Sequence, residues 1–186
     1  PLFVWMGEIL FRTRLSENLF KGLSPWMQKL PGGLIHVNVV GCALFAAISG
    51  SSAATVATVG KMSIPELRKR NYPEKILLGS LAGSGTLGLL IPPSIILIIY
   101  GVAVQESIAK LFIAGLLPGI MIALIFMSYV IFWSLINKKQ MPKIVEEYSI
   151  FEKIKRSKQL LPVIILISAV IGSIYTGIAT ATEAAS

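Results

Sequence analysis

Apolar residues run through this chain in long blocks separated by basic, polar segments. Residues 34–60, 76–104, 111–136 and 160–182 are almost wholly apolar, and 1–11 reads as the tail of a further helix. Between them lie 12–33, ending in a Pro31-Gly32-Gly33 break, then 61–75, a short turn at 105–110, and 137–159, which has room for a short interfacial helix. Blocks of about 20 apolar residues match a bilayer core of about 30 Å. The pattern predicts an all-α polytopic membrane protein with spanning helices over 76–104, 111–136 and 160–182. Two blocks carry internal interruptions: Ser49-Gly50-Ser51-Ser52 inside 34–60, and Pro92-Pro93 inside 76–104.

Composition agrees with a lipid solvent. Hydrophobic residues are 54% and charged residues 14% of the 186, against about 25% charged in soluble domains. The chain opens at Pro1 and stops at "TATEAAS", so it is expected to be a piece of a longer protein. A single cysteine, Cys42, excludes a disulfide framework and a cysteine metal cluster. The net charge of +8 could suggest nucleic acid, but its placement does not. The connectors 12–33, 61–75 and 137–159 hold every Lys and Arg except Lys110. Positive charge marks the cytoplasmic side, so the three connectors are expected there and the 105–110 turn outside.

Segment 34–60 breaks that alternation, because both of its flanks are basic. A hairpin entering from the cytoplasm and turning back resolves the conflict. Its first arm, 34–48, would be about 22 Å long, too short to cross. The turn then falls at Ser49-Gly50-Ser51-Ser52, near mid-membrane. The alternative is a plain spanning helix whose small residues pack against a neighbour.

A re-entrant tip exposes two helix ends. Carbonyls near Ala47, Ile48 and Ser49 end the first arm with partial negative charge, and amides near Ser51 and Ser52 open the second with partial positive charge. Pro92 and Pro93 repeat the effect, since proline donates no hydrogen bond and disfavours helical angles before it. The carbonyls of Gly88, Leu89, Leu90 and Ile91 are expected to be free, with Pro93 and Ser94 opening a new half-helix. Two interruptions at similar depth point to a transporter's midplane site, where carbonyls can hold sodium. A simple proline kink is the plainer alternative. Glu8 lies in an apolar stretch, and His36 reads as an interfacial polar residue. Gly60-Lys61 is not a phosphate loop, because Thr55 and Met62 stand where Gly and Ser/Thr are required. Nothing couples to ATP, and no nucleophile–base pair suggests an enzyme.

These residues carry a resemblance. "LPGGLIHVNVVGCALFAAISGSSAATVATVG", "GTLGLLIPPSIILIIYG", "LFIAGLLPGI" and "IYTGIATATEAA" together resemble the large permease (M) subunit of tripartite ATP-independent periplasmic (TRAP) transporters. The likeness runs almost end to end and covers about half of that subunit, the first of two inverted repeats. It implies an elevator-type transporter of the bacterial cytoplasmic (inner) membrane. Such systems import organic acid anions (C4-dicarboxylates, sialic acid or other sugar acids) by sodium symport. The partners implied are an extracytoplasmic substrate-binding protein and a small membrane (Q) subunit. Carried onto this chain, a sodium site falls on Ser49 and Ser52 at the tip and on Gly88, Ile91 and Pro93 at the break. Gly50, Ser51 and Ser94 are then expected to face the substrate. The family often has Thr-Pro-Thr-Glu where this chain has "TATE", so Ala181 departs from it. The mechanism implied is alternating access, with sodium ordering tip and break and so completing an anion site. A passive anion channel and a purely structural subunit are the rival readings.

Overall fold

The computed structural model describes residues 5, 9, 12–13, 15–142, 148–178 and 180. The helix tail expected over 1–11, with Glu8, and the "TATE" segment with Ala181 therefore lie largely outside the described residues. Every regular element among the described residues is helical.

Helix α1 (Leu15–Met27) buries Leu19, Phe20 and Leu23, one face of the helix. It ends in a turn where Gly32 and Gly33 adopt left-handed angles, φ 99° and 54°. Helix α2 (Ile35–Ser49) follows, and all of it except Val40, Ala43 and Leu44 is buried. A helix apolar all round belongs in the interior, and α2 indeed touches α1 and most later elements. Helix α3 (Ser52–Lys69) folds back along it. The two open ends of this hairpin meet: the Leu34 N–H donates to the Tyr72 hydroxyl at 3.0 Å. Burial pushes the Tyr72 phenol above its ordinary pKa, which keeps it neutral.

The second arm runs further than the apolar stretch 34–60. Residues 61–75 are expected to be a charged loop, yet α3 continues through Pro65 to Lys69. An interior proline costs about 3 kcal/mol in a helix. Here Leu67 and Ser63 are fully buried, and Leu67 joins Leu34, Val37 and Leu77 in one cluster. Lys61, Arg68 and Lys69 take the exposed face. That amphipathic packing offsets the proline.

Helix α4 (Glu74–Gly85) passes through one 3-10 turn (Thr86–Leu89) into an irregular stretch at 90–94 with a cis Pro92–Pro93 bond. Helix α5 (Ile95–Val104) resumes beyond it. Helix α6 (Ile108–Ile136) begins inside the expected 105–110 turn and continues through Pro118. After a 3-10 turn at Lys138–Gln140 comes α7 (Ile150–Ser157), joined by the 3-10 turn Lys158–Leu160 to α8 (Leu161–Tyr175). The expected connector 137–159 is thus helical from Ile150 onward.

α6 and the rod Ile150–Tyr175 are long and apolar enough to cross a membrane, and only 17% of each one's most apolar window is buried. Leu117, Phe132 and Ile136 on α6 are each about two-thirds exposed or more. Apolar surface on this scale does not stay in water.

α3 and α4 approach each other closely at Gly85, where a Cβ would fall inside the Val56 side chain. Gly85→Ala is expected to lower stability by about 1–3 kcal/mol through overpacking. Adding Val56→Ala should restore much of the loss. Thermal unfolding of the purified variants in detergent checks this, and equal melting of the single and double variants would contradict it.

Candidate ion and solute site

The hairpin turn is built from short polar residues, each with a geometric task. Gly50 ends α2 in the left-handed conformation (φ 59°), and its N–H donates to the Ala46 carbonyl at 3.1 Å. Any side chain there would be strained by about 1–2 kcal/mol. Ser51 is extended and acts as the N-cap of α3, its Oγ accepting the Ala54 N–H at 3.4 Å. Ser49 and Thr55 are fully buried with hydroxyls 3.0 Å apart, so they tie the end of one arm to the start of the next. The Ser49 Oγ also accepts the Ser51 N–H at 3.4 Å. The Ser52 hydroxyl is buried without a partner among the described residues.

The break has its own accounting. Leu90 and Ile91 both donate to the Leu87 carbonyl, at 3.0 and 2.8 Å. Pro92 and Pro93 have no N–H, so the Gly88 and Leu89 carbonyls lose their helical donors. One expectation is corrected here: the Leu89 carbonyl is not free, because the buried Ser94 Oγ donates to it at 2.7 Å. The half-helix opens at Ile95 rather than at Pro93 or Ser94, and Ser94 holds the cap position.

Tip and break touch through their backbones. The Ile95 N–H donates to the Gly50 carbonyl at 3.3 Å. A Cβ on Gly50 would sit 2.6 Å from the Pro93 carbonyl oxygen, and one on Gly88 would sit 2.9 Å from Ser51 C and Ser52 N. Ser49, Gly50, Ser51 and Ser52 are therefore gathered with Gly88, Pro93 and Ser94 in one place. Ile91 lies beside them, 6% exposed, in a cluster with Ala46, Ala47 and Leu87.

Helix α6 backs the break. A Cβ on Gly115 would approach the Leu90 carbonyl oxygen to 2.8 Å, and one on Gly119 would approach Ile91 Cγ1 to 2.8 Å. Thr55, Gly115 and Gly119 are positioning residues that sequence reasoning missed. The small-xxx-small spacing of Gly115 and Gly119 was the available signal. His36 is fully enclosed by protein, its Nε2 donating to the Pro31 carbonyl at 2.7 Å.

No residue from Ser49 to Ser52 or from Gly88 to Ser94 carries a charge. Among the described residues no three His, Cys, Asp or Glu side chains cluster as metal ligands. The groups available are carbonyl and hydroxyl oxygens, which suit a hard cation, and the N–H groups opening α3, which suit an anion.

The whole chain, residues 1–186, matches the family model described as "Tripartite ATP-independent periplasmic transporter, DctM component". The chain belongs to the DctM family. It is 36% identical over its full length to the C4-dicarboxylate TRAP transporter large permease protein DctM of Pseudomonas aeruginosa, covering 43% of that relative. It is 34% identical to the sialic acid large permease protein SiaM of Vibrio cholerae, again over its full length and 43% of the relative. It is also 34% identical to the ectoine/5-hydroxyectoine large permease protein UehC of Ruegeria pomeroyi, over its full length and 42% of the relative. This DctM-family chain thus spans less than half the length of these curated relatives. The family is one of membrane transport components, not enzymes.

The glycine contacts give a graded expectation for this DctM-family chain. Gly50→Ala and Gly88→Ala, which meet backbone atoms, should each lower the melting temperature and cost more than about 1 kcal/mol. Gly79→Ala, where a Cβ meets nothing within 4 Å, should leave melting unchanged or raise it. Thermal unfolding of the three variants side by side checks the order. A Gly88→Ala protein as stable as Gly79→Ala would contradict the observed approach.

Proposed function

We propose that the chain is part of the large subunit of a sodium-coupled secondary transporter of the bacterial inner membrane, importing small organic acid anions delivered by an extracytoplasmic binding protein. The observation that carries this reading is the docking of the Ser49–Ser52 tip on the Pro92-Pro93 break. Two interrupted helices share one uncharged, oxygen-rich spot where their backbones meet. Sodium would take backbone carbonyls and hydroxyls of Ser49, Ser52, Gly88, Ile91 and Pro93. The substrate's acidic group would meet Gly50, Ser51 and Ser94 and the N–H groups that open α3.

The re-entrant reading draws support from the hairpin base. Leu34 and Tyr72 are in contact, which supports both ends of the hairpin lying on one side, as basic flanks at both ends require. A helix that crossed once would separate its flanks by a bilayer thickness.

Relatives are named for C4-dicarboxylates, sialic acid and ectoine, each bearing a carboxylate, and for isethionate, a sulfonate, so an acidic oxyanion group is what these solutes share. The small Q subunit completes the assembly, and the loaded hairpin and broken helix move as one body in an elevator-like alternating-access cycle. Sodium binding is expected to raise substrate affinity, within the range of about 5–150-fold usual for coupled sites, and substrate must raise sodium affinity equally.

The test is uptake by proteoliposomes holding the intact transporter, with its binding protein outside and an inward sodium gradient present or replaced by potassium. Labelled C4-dicarboxylate, sialic acid and ectoine are offered in turn. Accumulation of one of them only with sodium and binding protein supports the proposal, and Ser52→Ala should then weaken the sodium dependence. Equilibration without sodium would overturn it in favour of a passive channel.

A further inference from the structure

A groove of about 560 Å³ runs between α4 and α6, apart from the tip and the break. That volume is in the range of ligand pockets. Ile76 and Val130 form its floor, 4% and 1% exposed. Ile125 and Tyr129 form its rim, and both are more than half exposed. Gly79 leaves the α4 wall open, since a Cβ there would meet nothing within 4 Å.

The two helices run antiparallel at this point, which orders the lining residues by depth. A Cβ on Gly83 would sit 3.4 Å from the Phe126 ring, while Ile76 clusters with Val130 and Trp133. Phe126 therefore closes one end of the groove, and Lys75 and Trp133 lie at the other. The apolar run 111–136 has Ala123 at its middle. Ile125 thus lies near mid-membrane, and Trp133 lies about 15 Å from the middle, at the edge of a hydrocarbon core of about 30 Å. Lys75 precedes Ile76 at that same edge. Helical side chains lean toward the N-terminus, so the Lys75 ammonium reaches outward from there.

Polarity rises in the same order. Ile125 and Phe126 are hydrocarbon, Tyr129 adds a hydroxyl, and Trp133 and Lys75 bring an indole N–H and a charge at the boundary. A phospholipid in one leaflet has this profile along its length, and Trp, Tyr and Lys are the side chains that suit its upper part. Other polar groups at the groove are already engaged. Glu74, the acid beside Lys75, pairs with Arg68 at 2.8 Å. The Ser80 hydroxyl donates to the Leu77 carbonyl at 3.0 Å and accepts from the Asn38 amide at 3.0 Å.

We propose that the α4–α6 groove binds one acidic phospholipid of the cytoplasmic leaflet. Its acyl tail lies over Gly79 and reaches Ile125 and Phe126, and its phosphate meets Lys75. The cation at the boundary complements the acidic head, and the groove is about one leaflet deep. The site requires a membrane setting and is independent of sodium coupling, so either can fail without the other.

The test uses the intact transporter in phosphatidylcholine nanodiscs holding a little phosphatidylglycerol with a diazirine near the end of one acyl chain. After irradiation, labelling at Phe126 is compared with that at Leu124, which is 57% exposed at similar depth and does not line the groove. Half-buried Phe126 should be labelled at least as heavily as Leu124. Labelling that follows exposure alone would overturn the proposal, and so would the absence of label from the groove, which would mean that protein covers it. Gly79→Trp, which fills the groove, should remove the label at Phe126, and Gly79→Ala should keep it. Undiminished label in Gly79→Trp would also overturn it. Native mass spectrometry supplies an arm that needs no filled groove. Lys75→Gln should lower the preference for phosphatidylglycerol over phosphatidylcholine by about five-fold, and an unchanged preference would overturn the assignment of an acidic lipid.

Discussion

A backbone polar group in an apolar surrounding must find a partner within the protein, and the central feature of this fold answers that demand. Two helices are interrupted, one at Gly50 and one at Pro92-Pro93, and each interruption lies against the other. The Gly50 carbonyl takes the Ile95 N–H, the Leu89 carbonyl takes the Ser94 hydroxyl, and Ser49 pairs with Thr55. Glycine at 50 and 88 is what lets the two main chains come this near. The Ser52 hydroxyl stays buried at this contact without a partner among the described residues.

The outer surface differs from that of a water-soluble domain, and the interior holds polar side chains among the apolar ones. Ser49, Thr55, Thr58, Ser63, Ser84 and Ser94 are fully buried, together with His36 and Asn38. Leu117, Ile165 and Phe132 are among the most exposed side chains. In water that arrangement would cost free energy on both counts. In lipid the outer face needs only apolar surface, and within the interior Ser49 pairs with Thr55 while Ser84 and Ser94 donate to carbonyls.

Much of this was legible in the sequence where a residue type forces the backbone. Gly50 among serines marked the turn, and Pro92-Pro93 marked the break, because glycine and proline act through local sterics that need no tertiary context. What escaped depended on neighbours. Residues 61–75 read as a charged connector, and only the burial of Leu67 against Leu34 and Leu77 explains why α3 runs on to Lys69. Ser94 reads as the start of a half-helix, and only the position of the Leu89 carbonyl shows it as a donor within the break. The Gly85–Val56 approach could not be read at all, since nothing in either local sequence names the other. The composition of 12–33 and 137–159 did indicate basic connectors, but not that α1 and α7 would dock through Trp26.

Helix α2 has a mechanical character that follows from its two ends. At its start the Leu34 N–H is held by Tyr72, and just past its end the Gly50 carbonyl is held by Ile95. Between them lies a rod of fifteen residues, buried along nearly its whole length and without glycine or proline except Gly41. The Ser51 tip and the Tyr72 corner are thus the two ends of one stiff member, joined by a single continuous helix rather than by loops.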